Sequence, residues 1–218
     1  GTTPSAAPLV LSEAIGRVSG SKAIESLPSA PATGDVDHDG DDEAVVTTPD
    51  GAVFVIDAAS AFSDDVIVET GELRADHPSA PALGDVDGDG TLEIAVWDDE
   101  YMYLLKSNAR PMLEWPRVIR PESSGEAPGA VSVRVFESPL VFGLTGGDKA
   151  RTVFQIDDGT MFAFDAAGRT QAGYPRVSPA EAGASPTVMN TGAGSWALAS
   201  VGSVGALQSV DAITDSVA

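Results

Sequence analysis

The sequence predicts an all-β fold, a β-propeller or a segment of one, built from about four four-stranded antiparallel blades. Three observations carry that reading. One unit recurs four times with a nearly constant interior length, the unit consists of short β-branched or aromatic runs separated by turn pairs, and two copies carry the same acidic loop at the same place.

The repeat comes first. SAPATGDVDHDGDDEAVV (residues 29–46) lies over SAPALGDVDGDGTLEIAV (79–96), and each is followed by a second apolar run, GAVFVID and YMYLLK. Weaker copies occupy 137–165 and 184–211. From Pro31 to Asp57, Pro81 to Lys106, Pro139 to Asp165 and Pro186 to Asp211 the units span 26, 25, 26 and 25 positions, whereas their starts lie 50, 58 and 47 residues apart. A rigid unit with variable connectors gives that pattern.

Within the unit, EIAVW, AVFVID, TVFQI and MFAFD read as strands, and Asp50-Gly51 and Asp158-Gly159 as hairpin turns. A further piece, EWPRV at 114–118 and GYPRV at 173–177, suits an outer edge strand, where the missing proline N–H costs little. IGRVS at 15–19 resembles it, and 12–15 is the one short helix candidate. The expected division is a linker plus the outer strand of a preceding or closing blade over 1–27 and blades over 28–77, 78–135, 136–182 and 183–218, the last incomplete. The IGRV piece closes a four-bladed ring, or the chain belongs to a larger propeller. The second is favoured, because both ends read as cut: the chain opens on Gly1, as a processed or excised product does, and only seven residues follow Asp211.

Composition narrows the function. At 43% hydrophobic the 218-residue chain can bury a core, and its net charge of −21 argues against nucleic acid and against anionic lipid. The same charge favours cations. With no cysteine there are no disulfides, thiolate metal sites or thiol nucleophiles. No apolar run approaches the ~18 residues of a membrane-spanning helix.

The acidic loops carry the chemistry. Asp35, Asp37 and Asp39 stand at alternate positions, Gly40 follows, and Glu43 closes the loop at the ninth place; the second loop repeats this with Asp85, Asp87, Asp89, Gly90 and Glu93. Alternate carboxylates converge on the inside of a turn that glycine allows, and an all-oxygen donor set suits a hard cation, calcium before magnesium. The seventh place, Asp41 or Thr91, offers a carbonyl oxygen. An EF-hand needs a bidentate acid at the twelfth place, which here is Val46 or Val96, each in a strand.

The pattern (S/A)P-x-x-GD-x-D-x-DG-x-x-(D/E) before an apolar strand resembles the FG-GAP or VCBS repeats of integrin-α-type β-propellers, strongly over 28–106 and by spacing and strand pattern alone over 137–211. The resemblance implies a calcium ion between the first and second strands of a blade. Its ligands by motif position are Asp35, Asp37, Asp39, Asp41 (carbonyl) and Glu43, then Asp85, Asp87, Asp89, Thr91 (carbonyl) and Glu93. The later units depart from the pattern, with Gly143, Thr145, Gly147 and Arg151 in the third and Asn190, Gly192, Gly194 and Leu198 in the fourth. Two calcium ions are therefore expected, not four, acting mainly as structural staples.

Other motifs fall away. His38 is expected to face solvent, His77 lies in a connector, and SGSK at 19–22 lacks any companion catalytic motif. Trp97, Tyr101, Tyr103, Trp115, Tyr174 and Trp196 are expected to pack between blades instead of forming a sugar platform. The expected function is a non-catalytic calcium-binding module for adhesion or protein interaction, with a protein or surface glycan as ligand and further blades from elsewhere in the chain or another chain as a second class of partner. The resemblance, together with the millimolar calcium found outside cells, implies an extracellular or cell-surface location. The alternative is an accessory or partial domain of a secreted carbohydrate-active enzyme or peptidase.

Overall fold

The computed structural model describes residues 29–57, 68–74, 77–98, 100–118, 138–142, 150–156, 159–176, 186–192, 195–201 and 207–213. The expected linker, the IGRVS piece and the helix candidate lie outside them. Among the described residues there is no helix, and none therefore long and apolar enough to cross a membrane.

Among the described residues, four antiparallel sheets follow one another along the chain. The first has the order β1 (Ala32–Gly34), β2 (Glu43–Thr47), β3 (Ala52–Asp57), β4 (Val68–Glu72). The second repeats it with β5 (Ala82–Gly84), β6 (Glu93–Trp97), β7 (Tyr101–Leu105) and β8 (Arg117–Val118). The third has three strands, β9 (Leu140–Phe142), β10 (Arg151–Gln155) and β11 (Met161–Phe164), and the fourth has β12 (Thr187–Gly192), β13 (Ser195–Val201) and β14 (Leu207–Ile213). In the third, the expected outer strand is present as a bridge of Arg176 to Met161, through two backbone hydrogen bonds of 2.8 and 2.9 Å. The repeat register holds across three units: Gly34 pairs Glu43, Gly84 pairs Glu93, and Phe142 pairs Arg151.

The sheets pack face to face, and successive side chains of one strand go to opposite neighbours. Ile94 and Val96 of β6 join Val45, Val53 and Val55 of the first blade, while Ala95 and Trp97 join Phe154, Phe162 and Phe164 of the third. On the third blade, Val153 and Ala163 face Val188 of the fourth. The alternation along these runs is thus one of destination, not of polarity: all five residues of EIAVW are buried. Both faces of the middle blades are covered, so a polar-out pattern has no place there.

The motif residues flanking the acidic loops have structural work of their own. Ser29 N–H donates to the Thr47 carbonyl at 2.8 Å and the Thr47 N–H returns to Ser29 Oγ at 3.1 Å; Ser79 and Trp97 repeat the exchange at 2.8 and 3.2 Å. Thr47 Oγ1 then donates to the Ser79 carbonyl at 2.7 Å, tying one blade to the next. The glycine before the first aspartate is where innermost strands meet. A Cβ on Gly84 would stand 2.3 Å from Val141 Cγ1, and one on Gly34 2.8 Å from Leu92 Cδ1. Gly84→Ala is expected to lower stability by about 1–3 kcal/mol through overpacking, read as a lower urea midpoint at unchanged slope; an unchanged midpoint would show that the innermost strands yield freely.

The outer edges clamp the next blade as well. Trp115 Nε1 donates to the Ala166 carbonyl at 2.9 Å, and Arg117 reaches the Ala167 carbonyl at 3.3 Å. Between the first two blades, the Tyr103 hydroxyl donates to buried Asp98 and accepts the Arg74 N–H at 2.9 Å, while the Arg74 guanidinium lies 5.2 Å from the Tyr101 ring centroid. Tyr103 is held well above the usual phenol range by burial and by its bond to Asp98, so it stays a donor.

Candidate metal centre

Each acidic loop joins the first and second strands of its blade, β1 to β2 and β5 to β6. Their local fold follows from short carboxylates bonding nearby backbone N–H groups. Asp35 accepts from Asp39 N–H at 2.9 Å and Gly40 N–H at 3.1 Å. Asp85 accepts from Gly88 N–H at 2.7 Å and from Asp89 and Gly90 N–H at 3.1 Å. The turn needs glycine at Gly40 and Gly90, whose φ angles are +102° and +95°. His38 also has positive φ, 66°, and is exposed as expected; Gly88 takes its place in the second loop at 81°.

Carboxylate oxygens of Asp35, Asp37 and Asp39 lie within 4.8 Å of one another in the first loop, and those of Asp85, Asp87 and Glu93 do so in the second. Asp41 is exposed and gives its N–H to Asp39 Oδ1 at 3.0 Å. Thr91 is half-buried and donates to Asp89 Oδ1 through its N–H at 2.8 Å and its hydroxyl at 2.6 Å. Those two bonds, the hydroxyl first, hold the Asp89 carboxyl below its ordinary range. Glu43 and Asp89 lie in the same loops but outside the converging sets.

The two glutamates differ from the aspartates in burial, at 4% and 3% exposed. Glu43 Oε2 accepts the Val36 N–H at 2.8 Å; Glu93 Oε2 accepts those of Val86 at 2.7 Å and Asp87 at 3.3 Å. Burial pushes the Glu93 carboxyl up to about 7 despite the Val86 N–H, and the neighbouring charges of Asp87 and Asp89 add to it. Glu43 is raised by the same causes, burial first, then Asp37 and Asp39. A buried carboxylate facing further carboxylates is stable when a proton or a cation joins it. All donors are hard oxygens, so the residues fit calcium or magnesium.

Nothing in the spacing of the ligand-type residues marks the motif's valines as core residues. Val36 and Val86 are both fully buried, Val36 in the core between the first and second blades, Val86 in that between the second and third. Each therefore plugs an interface while its N–H is held by the loop's glutamate. Their only signal was repetition of valine between two ligand-type aspartates. In the third blade, Arg151 takes the glutamate's register position and bonds Gln171 Oε1 at 2.8 Å. Residues 143–149, the remaining third-unit places, lie outside the described residues. The aromatic residues Trp97, Tyr103 and Trp115 pack between blades as expected.

No family model matches the chain, and no curated protein matches it. Solved structures do. The BBS1 N-terminal domain in complex with ARL6 is 14% identical, with TM-score 0.64, over 85% of this chain and 54% of that one. The WD40 domain of SCAP from fission yeast is 9% identical, with TM-score 0.54, over 88% and 43%. The fold is of the β-propeller type. The C-terminal domain of Pseudomonas aeruginosa PilY1 superposes with TM-score 0.56 at 10% identity, over 79% of this chain and 43% of that one. The chain thus spans about half the length of the structures it matches.

Proposed function

We propose that this chain is a calcium-stabilised, non-catalytic propeller module for protein interaction or adhesion outside the cell, of the FG-GAP/VCBS kind. The observation that supports it most is the double role of each acidic loop. One buried glutamate holds the N–H of a valine that plugs an interface between blades, and in the second loop its carboxylate converges with those of Asp85 and Asp87. In this reading Asp35, Asp37, Asp39, Asp41 and Glu43 hold one calcium and Asp85, Asp87, Asp89, Thr91 and Glu93 a second. Calcium supplies positive charge there, and the loop residues fix the valines that join the blades. Millimolar extracellular calcium is the setting in which modest sites of this type fill.

The interaction role draws support from the fold: the BBS1 domain was solved in a complex with ARL6. The ligand here is a protein or a surface glycan, and blades from elsewhere in the chain or another chain supply the rest of a ring. Calorimetric titration of metal-stripped protein is expected to show two calcium sites, and none in Asp37→Ala plus Asp87→Ala. A folded parent that takes up no calcium would leave the propeller and remove its metal.

A further inference from the structure

We infer that the two acidic loops are coupled through Leu92, so that a cation in one loop raises the affinity of the other. The inference rests on the reading that both loops hold calcium, and it adds a regulation that neither loop has alone. Leu92 sits in the second loop between Thr91 and Glu93. Its N–H donates across the blade interface to the carbonyl of Val36, at 3.4 Å, and Val36 lies between Asp35 and Asp37 of the first loop. Its Cδ1 stands 2.8 Å from where a Cβ on Gly34 would be, so it rests on the backbone leading into that loop. Residue 36 is thus gripped twice, its N–H by Glu43 of its own loop and its carbonyl by the neighbouring loop.

A ligand in the second loop is indicated by more than the crowding of acids. Glu93 is only 3% exposed, its Oε2 takes two backbone N–H groups, and its carboxylate converges with those of Asp85 and Asp87. Closing that loop on a cation fixes Glu93 and with it Leu92, one residue away. A fixed Leu92 holds the Val36 carbonyl, and the first loop then has less to order when its own cation arrives. Linkage makes the effect mutual: filling the first loop must favour the second by the same factor. The third blade sets the contrast, since Ala150 stands where Leu92 does and packs in the Val86 core beside a unit whose ninth place is Arg151.

The test is calcium titration of the full chain at 0.5 M salt, added to screen direct repulsion between the sites. The parent is expected to fill its two sites with positive cooperativity, and Leu92→Ala to fill two sites with the cooperativity reduced or gone. Asp87→Ala is expected to lower the first loop's affinity about 5- to 10-fold, and Asp37→Ala to lower the second loop's by the same factor. Near-ultraviolet circular dichroism of the tryptophans verifies folding of each variant; if Asp87→Ala does not fold, Leu92→Ala against the parent decides. Two independent sites in the parent would overturn the coupling and leave the metal reading standing. No calcium uptake by folded parent would overturn both.

Discussion

Stripping calcium with a chelator is expected to lower the unfolding free energy by about 5 kcal/mol relative to protein held at a hundredfold excess over Kd, because each filled site contributes about 2.7 kcal/mol by mass action. For a chain of this size that is a fall in Tm of roughly 10–20 °C. The sign of the pH dependence should change as well. In metal-free protein Glu93 has a carboxyl raised from 4.5 to about 7, so the folded state binds the extra proton between those values. Stability must therefore fall as pH rises from 4.5 to 7, the reverse of the usual carboxylate trend. With excess calcium the proton competes with the cation, and stability should rise over the same window. Glu93→Gln keeps an acceptor for the Val86 N–H and removes the charge; it should flatten the metal-free trend and abolish the second site. Urea midpoints across that window measure all three. A metal-free protein that gains stability from pH 4.5 to 7 would show that the glutamate is not buried against its neighbours as described.

Much of this was legible because a repeat states each requirement more than once. The hairpin turns, the strand cores and the loop positions are fixed by residues that recur in register, such as Gly34 with Gly84 and Glu43 with Glu93. What could not be read was what each strand residue faces. Val96 and Ala95 are both simply apolar in sequence, yet one goes to the first blade and the other to the third. The valine plugs and the serine exchanges were hidden for a related reason. A valine between aspartates looks like a spacer until the neighbouring blade is placed against it. The outer pairing of the third sheet likewise depends on tertiary contacts, which the GYPRV piece suggests without specifying; among the described residues, Arg176 of it bridges to β11. The glutamate's place in the loop is visible from spacing, whereas its burial, which raises its carboxyl, is not.

Trp115→Ala is the second large effect expected, a loss of about 3–5 kcal/mol. Trp115 is 7% exposed, its ring centroid lies 5.7 Å from that of Phe164 at 73°, and its indole N–H reaches across to Ala166. Trp115→Phe retains most of the packing and should lose only about 1 kcal/mol for the hydrogen bond. An exposed sugar platform would behave oppositely, with a near-neutral alanine variant and lost glycan binding, so a loss below ~1 kcal/mol would sink the packing role. The same core contains Val86, whose N–H is held by Glu93, but not Val36, which belongs to the core between the first two blades. A cavity at Trp115 therefore loosens the support of the second loop more than that of the first. Calcium affinity of the Trp115→Ala protein should fall first and furthest at the second site, with the first site affected only as far as Leu92 transmits the change.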